Sequence, residues 1–124
     1  MARILIVDDS VTMIEGHKAI LEGLGHTIYS AESGEEGVEK AIEILPDLIL
    51  MDIVMPKMNG FQATRKITTD DRTKHIPVVI LTTKDQKTDI LWGKKQGAKG
   101  YLIKPADKKE LASTIDQLLD ESNQ

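Results

Sequence analysis

The sequence contains no cysteine, which excludes disulfide bonds, thiolate metal sites and cysteine nucleophiles. It also lacks long apolar runs: none approaches the roughly 20 residues needed to span a membrane, and the opening MARILIVDDS lacks the apolar segment of a signal peptide. Basic residues are not in excess, because 16 lysines and arginines are outnumbered by 20 acidic residues, which gives a net charge of −4. The composition therefore predicts a cytoplasmic protein that neither inserts into membranes nor binds nucleic acid.

Two kinds of segment alternate along the 124 residues. Short apolar runs rich in β-branched residues predict strands at residues 4–7, 27–31, 48–51, 78–81 and 101–103. Between and after them, apolar residues recur every three or four positions and predict helices at residues 11–24, 35–44, 61–67, 88–96 and 108–119, with a frayed tail at residues 120–124. Gly25 and Gly97 stand where helices are expected to end, and Pro46 and Pro77 stand just before strands.

This (βα)5 pattern predicts an α/β fold with a doubly wound five-stranded parallel sheet. Strands that are apolar on both faces and separated by helices imply a parallel sheet covered on two sides, with right-handed crossovers. The expected arrangement is flavodoxin-like, with strand order 2-1-3-4-5, and residues 1–124 fit a single domain. Ligands of such sheets bind beyond the carboxyl ends of the strands, near the switch point between strands 1 and 3.

Polar side chains follow four of the predicted strands, at the points where each strand ends: Asp8 and Asp9, Asp52, Thr82 and Thr83, and Lys104. Carboxylates within a few ångströms repel one another by roughly 4 kcal/mol per close pair at an effective dielectric near 20, unless a cation is bound. Mg²⁺ suits a site with few carboxylates and several retained waters. The expected ligands are the carboxylates of Asp9 and Asp52 and the backbone carbonyl of Val54, with Asp8 in contact directly or through water.

These groups are also equipped for phosphoryl transfer. A carboxylate beside Mg²⁺ can attack a phosphoryl group while the metal and Lys104 offset the charge of the transferring oxygens and Thr82 donates to one of them. Asp52 would then be a nucleophile that forms an aspartyl-phosphate. Each residue alone has an ordinary structural explanation, such as a helix cap for Asp8 or a solvated lysine for Lys104. Their joint placement at four strand ends favours a functional site.

The motifs VDDS after the first strand, DIVMPKMNG around Asp52, a threonine after the fourth strand and GYLIKP at the fifth resemble the receiver domain of bacterial two-component response regulators. The resemblance covers nearly the whole chain. It implies that a sensor histidine kinase, or its phosphotransfer domain, donates a phosphoryl group to Asp52 and that Asp8, Asp9 and Asp52 organise Mg²⁺. It further implies that Thr82 and Lys104 hold the phosphoryl group.

The resemblance also implies a switch and a lifetime for the phosphorylated state. Tyr101 occupies the aromatic switch position, and the face made by the fourth helix, the fifth strand and the fifth helix is expected to change and to bind a downstream protein. The bond between Lys104 and Pro105 is expected to be cis. Val54 and Lys84 are expected to face the attacking water, and since Val54 cannot orient water, self-dephosphorylation should be modest.

The stretches DIVMPKMNGFQATRKI and ILTTKDQKTDILWGKKQGAKGYLIKP are similar to single-domain regulators of chemotaxis-like systems that control type IV pili and twitching motility. On this resemblance the chain has no output domain and acts through contacts, as a shuttle or as a phosphate sink. It would catalyse only its own phosphorylation and dephosphorylation. It is expected to be a monomer, and whether the phosphorylated form dimerises stays open.

Three rival functions fit the motifs less well. A flavin carrier needs an anion-binding loop after the first strand, where VDDS places two negative charges. A phosphatase with an aspartyl nucleophile needs a second aspartate two residues after Asp52, where Val54 stands. A pure interaction module would not need the acid, threonine and lysine set. The three histidines, at positions 17, 26 and 75, are expected to be surface or ordinary polar residues. For Trp92, packing and a partner surface are both open interpretations.

Overall fold

The structure is a computed structural model that describes residues 1–122. Strands and helices alternate along these residues: β1 (Arg3–Val7), α1 (Val11–Gly23), β2 (Thr27–Ala31), α2 (Gly34–Ile44), β3 (Leu48–Met51), α3 (Gly60–Thr69), β4 (Val78–Thr82), α4 (Lys87–Lys95), β5 (Gly100–Ile103) and α5 (Lys108–Ser122). All the strand pairs are parallel, in the order β2-β1-β3-β4-β5. The predicted doubly wound α/β fold is confirmed.

The central strands contain runs of consecutive apolar residues. Because successive side chains of a strand point in opposite directions, the sheet is apolar on both faces. Ile4 and Ile6 of β1 belong to the cluster under α1 and α5, whereas Leu5 and Val7 belong to the cluster under α2 and α3. All four side chains are almost completely buried, and burying a side chain of this kind contributes about 1.5–3 kcal/mol. The two clusters therefore fix the central strands, and with them the positions of the residues that follow each strand.

Local signals set most helix boundaries. The Ser10 and Ser33 hydroxyls accept hydrogen bonds from backbone N–H groups in the first turns of α1 and α2. Helix α3 begins at Gly60, after Asn59, whose side chain accepts from the Gln62 N–H, and it extends to Thr69 beyond the predicted 61–67.

The chain leaves α1 and α4 through left-handed glycines. Gly25 has a φ of 94° and Gly97 a φ of 99°, a conformation that suits the residue after a helix C-cap. Both positions were predicted to end helices, and both predictions are confirmed.

The end of α5 differs from the expectation. Residues 120–122 were predicted to fray, but α5 continues to Ser122, while residues 123 and 124 lie outside the described part. The prediction was wrong for residues 120–122 because Leu118 and Leu119 pack against the apolar cluster under α1 and α5 and hold the last turns of the helix. Within residues 1–122, no helix has both the length and the apolar character that a bilayer crossing requires.

Candidate functional site

The carboxyl ends of four neighbouring strands meet at one edge of the sheet. The backbone ladder continues one residue past β3 and β5, because the Asp52 N–H donates to the Val7 carbonyl at 2.9 Å and the Lys104 N–H donates to the Thr82 carbonyl at 2.8 Å. Asp52, Thr82 and Lys104 are thus held in place by strand pairing rather than by a free loop. Rigid strand ends are a suitable support for groups that must keep a fixed geometry.

Three carboxylates converge at this edge. Asp8, Asp9 and Asp52 each have a carboxylate oxygen within 4.8 Å of the others. Asp8 and Asp52 are buried, at 3% and 8% exposed, while Asp9 is open to solvent. The predicted grouping of these residues is therefore present in the structure, and such a group could hold a divalent cation.

The Lys104 ammonium lies between two of the carboxylates. Its Nζ donates to Asp8 Oδ2 at 2.7 Å and lies 3.6 Å from Asp52 Oδ2. The other Asp8 oxygen accepts from the Ser10 N–H at 2.9 Å, and Asp52 Oδ1 accepts from the Ile53 N–H at 2.8 Å. Asp8 is therefore paired at both oxygens, whereas Asp52 keeps a looser contact with the ammonium.

The electrostatics of Asp52 reflect this incomplete pairing. Burial raises the pKa of the Asp52 carboxyl above its usual value; the Lys104 ammonium opposes the shift and the Asp8 carboxylate adds to it. A bound cation would favour the ionised form and lower this pKa again. The site thus carries a carboxylate whose charged form is under-stabilised by the protein alone.

Thr82 places a hydroxyl beside this carboxylate. The residue is completely buried, and its Oγ1 makes no hydrogen bond within 3.5 Å to any residue that the structure describes. The hydroxyl nevertheless lies close enough to Asp52 to interact with the carboxylate and lower its pKa, although the geometry falls short of a well-formed hydrogen bond. An unpartnered buried hydroxyl is costly, so its position calls for a ligand that accepts its hydrogen bond.

Two further predicted residues lie at the border of the site. Val54 follows Asp52 by two positions and is 53% exposed. Tyr101, on β5, is partly buried, and its hydroxyl donates to the Lys84 carbonyl at 2.8 Å, in the loop after β4. Burial, reinforced by three carboxylates in its surroundings, raises the pKa of Tyr101 to about 12. The ring is therefore tied to the loop two residues beyond Thr82.

A family model decides the classification: the response regulator receiver domain matches residues 4–116. The chain belongs to this family. Protein PilH of Pseudomonas aeruginosa is 56% identical over 119 residues, which cover 96% of this chain and 98% of PilH. The chemotaxis protein CheY4 of Vibrio cholerae has a TM-score of 0.89 and 31% identity, covering 95% of this chain and 98% of that structure. RpaA of Synechocystis is 37% identical over 119 residues, and the match spans 49% of its length.

Gly60 is a part of this receiver site that sequence interpretation missed. A Cβ at this position would lie 2.0 Å from the Asp52 carbonyl oxygen and 2.7 Å from Ile53 Cα. The Gly60 N–H donates to the Ile53 carbonyl at 2.9 Å, so the start of α3 rests directly on the backbone of the carboxylate strand. The glycine in the motif DIVMPKMNG was visible, but only the structure reveals what it touches.

His17 was predicted to be a surface or ordinary polar residue, and the surface interpretation was wrong. It lies on the buried face of α1, only 6% exposed, and its Nδ1 makes no hydrogen bond to any described residue. Burial, and then the Lys104 ammonium, lower the pKa of His17, while Asp8, Asp52 and a contact with the Met13 backbone oppose the shift. The helical spacing of His17 from Ile14 and Leu21 was the available signal, since all three share one face.

Proposed function

We propose that this receiver domain is a phospho-accepting signalling protein that takes a phosphoryl group onto Asp52. The donor is the phosphohistidine of a sensor histidine kinase or of its phosphotransfer domain. The observation that carries the proposal is the setting of Asp52, a buried strand-end carboxylate 3.6 Å from the Lys104 ammonium and within 4.8 Å of Asp8 and Asp9. Membership of the receiver family supports the same conclusion.

The chemistry follows from the groups present. An Asp52 carboxylate oxygen forms a bond to phosphorus while the phosphorus–nitrogen bond of the donor breaks, and the imidazole nitrogen keeps the electron pair. Lys104 offsets the charge on the phosphoryl oxygens, and the unpartnered Thr82 hydroxyl donates to one of them. Attack requires ionised Asp52, so uptake should fall at low pH as this carboxyl becomes protonated, and Mg²⁺ should move that fall to lower pH because the cation favours the ionised form.

The carboxylate group fits Mg²⁺ as a cofactor. Since both oxygens of Asp8 already accept hydrogen bonds, Asp9, Asp52 and the Val54 backbone carbonyl are the more available ligands, with Asp8 in contact directly or through water. When bound, Mg²⁺ would neutralise carboxylate charge and offset the charge of the phosphoryl oxygens. The domain would catalyse only its own phosphorylation and dephosphorylation.

Uptake from acetyl phosphate tests the proposal. With Mg²⁺ present, intact-protein mass spectrometry should detect one added phosphoryl group, which Asp52→Ala abolishes. Asp47→Ala, at the opposite edge of the sheet, should behave like the wild type. Release of many phosphates per chain would instead indicate a phosphatase, and no uptake by the wild type would indicate an interaction module.

Lys104→Met separates the role of the ammonium from that of the acceptor. The rate of uptake should fall at least about a hundredfold, as expected when a preorganised donor to developing charge is removed. Lys108→Met removes an exposed positive charge nearby and should leave the rate within about twofold of the wild type. An unchanged rate in Lys104→Met, with the fold intact by circular dichroism, would contradict the mechanism.

The switch would use the contact between Tyr101 and the loop after β4. Movement of the Thr82 hydroxyl towards the phosphoryl group would vacate space beside β4 and let Tyr101 rotate inward, so that the face made by α4, β5 and α5 changes. Beryllofluoride with Mg²⁺ should then shift the amide resonances of residues 82–104. Unmoved resonances would rule out this switch.

Val54 and Lys84 would set the lifetime of the phosphorylated state. Val54 is half exposed and has no group that could orient water, so the phosphorylated form should outlast seconds. Val54→Asn should shorten it. Loss of labelled phosphate within seconds, at a rate that Val54→Asn leaves unchanged, would contradict this assignment.

The similarity to PilH supports a biological setting for the domain. We place the domain in a cytoplasmic, chemotaxis-like system that controls type IV pili and twitching motility, where it acts as a shuttle or phosphate sink. A downstream protein would bind the α4–β5–α5 face of the monomer. Phosphotransfer profiling against the histidine kinases and phosphotransfer domains of the source organism should single out a donor of that system. Preference for an unrelated kinase would refute this placement.

A further inference from the structure

A groove separate from the acidic site lies between α3, α4 and the loop that joins β3 to α3. The groove is open to solvent and has a volume of about 510 Å³. Its apolar lining consists of Met58, Phe61 and Trp92, and three of its other side chains are the cations Lys57, Arg65 and Lys66. Trp92 is 50% exposed, so about half of this large apolar side chain is open to solvent. Tryptophan, arginine and tyrosine are the residues most enriched where binding energy concentrates.

The charge of the groove is opposite to that of the chain. Its lining contains no acidic residue, and residues 53–69 contain three basic residues and no aspartate or glutamate, although the net charge is −4. Among residues 1–122, Lys57, Arg65 and Lys66 make no ion pair with a carboxylate within 4.0 Å. The groove therefore offers three uncompensated positive charges around an aromatic surface.

Hydrogen bonds between α3 and the end of α4 hold the two walls of the groove together without a partner. Thr68 Oγ1 on α3 donates to the Gln96 carbonyl at 2.6 Å, and Arg65 Nη1 donates to the Lys95 carbonyl at 3.4 Å. The end of α4 approaches α3 so closely that a Cβ on Gly97 would lie 2.7 Å from Thr68 Oγ1. A preformed groove lowers the ordering cost of binding.

We propose that this groove binds an acidic, amphipathic segment of a partner protein. Its apolar side chains would pack against Phe61 and Trp92, and its carboxylates would pair with Lys57, Arg65 and Lys66. Charge complementarity selects an acidic occupant, because the positive groove is set in a negatively charged protein that would repel a long polyanion such as nucleic acid elsewhere on its surface. This inference does not depend on phosphorylation of Asp52.

Trp92 provides the measurement, since it is the only tryptophan in the chain. The probe is a synthetic peptide of about 15 residues, or about four helical turns, with leucine at helical spacing, glutamate at the remaining positions and no aromatic residue. Binding should shift the Trp92 fluorescence emission to the blue, and this shift should saturate as the peptide concentration rises. Two matched peptides, one with serine for leucine and one with lysine for glutamate, should produce no saturable shift.

Paired charge reversals locate the binding site. The double variant Arg65→Glu and Lys66→Glu should weaken binding at least about tenfold, because it inverts the charge of the groove. Lys108→Glu with Lys109→Glu makes the same change in net charge on α5 and should stay within about threefold. Phe61→Ala should also lose at least about tenfold, and both groove variants should still accept phosphoryl groups from acetyl phosphate.

Four results would overturn the proposal. Equal binding of the serine peptide would indicate non-specific charge attraction, and equal loss in the two charge-reversal variants would place the binding elsewhere. Tighter binding of a single-stranded oligonucleotide than of the acidic leucine peptide would identify a nucleic-acid groove instead. Self-association in sedimentation velocity without peptide, abolished by Trp92→Ala, would identify a second copy of the chain as the occupant.

Discussion

The two edges of the sheet differ in how completely their polar groups are paired. At the amino edge the Asp47 carboxylate accepts from the Arg3 N–H at 2.8 Å, and the Arg3 guanidinium donates to two carbonyls at the end of α2. The His26 Nδ1 accepts from the Ala2 N–H at 3.1 Å. These contacts join segments that are 24 to 44 residues apart, and each of these donors has an acceptor.

At the carboxyl edge the pairing is incomplete. Thr82 buries a hydroxyl that no described residue satisfies, and Asp52 has a pKa raised by burial. One ammonium serves two buried carboxylates, with a third carboxylate close by. Groups left unsatisfied in a buried place reduce stability, so the convergence of this hydroxyl and these carboxylates around one ammonium favours a ligand at this edge.

The largest expected effect comes from disturbing the backbone at the carboxyl edge. Gly60→Ala would force a methyl group to within 2.0 Å of the Asp52 carbonyl oxygen, so α3 or the end of β3 must move. We expect a loss of roughly 3 kcal/mol or more in the free energy of unfolding, as for severe overpacking, together with loss of phosphoryl uptake. Urea unfolding and mass spectrometry measure the two effects.

Gly16→Ala is the matched control. Gly16 lies in α1, and a Cβ there has no atom within 4 Å, so the change should stabilise the protein by about 0.5–1 kcal/mol through helix propensity. If Gly60→Ala kept the stability and the phosphoryl uptake of the wild type, the close approach of Gly60 to the Asp52 carbonyl would be contradicted.

The fold was predictable because its signals are local and repeated. Short apolar runs and helical patterns located all five strands and all five helices, with most bounds within two residues, and the polar residues at strand ends located the acidic group. The contacts between distant segments were not predictable in the same way. The approach of Gly60 to Asp52 and the burial of His17 depend on how α3 and α1 pack against the sheet, which no local pattern states.

Trp92 is a second residue whose role depends on contacts between distant segments. Sequence left packing and a partner surface as equal interpretations, because both place an aromatic residue on α4. The structure shows a half-exposed indole in a groove whose cations come from α3 and the preceding loop, more than 25 residues away in sequence. Helix–helix packing, rather than any motif, brings these groups together.

A smaller effect is expected at His17, which lies close enough to Lys104, Asp8 and Asp52 to feel their charges but makes no hydrogen bond to them. His17→Leu removes the buried Nδ1 that no described residue satisfies, together with a contact to the Met13 backbone, and should on balance raise the free energy of unfolding by about 1 kcal/mol at pH 7.5. Because the pKa of His17 is lowered in the folded state, the unfolded chain binds the proton first, and the wild type loses stability as the pH falls below about 6.5. The advantage of His17→Leu should therefore grow at pH 5.5.

Urea unfolding at the two pH values tests this, with His75→Gln at an exposed position as the control. His75→Gln should leave the stability at both values within about 0.5 kcal/mol of the wild type. If His17→Leu destabilised the protein, or if its advantage were the same at both pH values, the histidine would have a partner or a proton that the packing of α1 does not reveal.

The smallest effect is expected at the amino edge, where the Asp47 carboxylate has a hydrogen-bond donor but is exposed to water. Asp47→Ala removes the acceptor of the Arg3 N–H, yet water can replace it, so the free energy of unfolding should fall by only about 0.5 kcal/mol. Phosphoryl uptake should be unchanged, because the acidic site lies at the opposite ends of the strands. A loss of more than about 2 kcal/mol, or slower uptake, would mean that the two edges are coupled through β1 and β3.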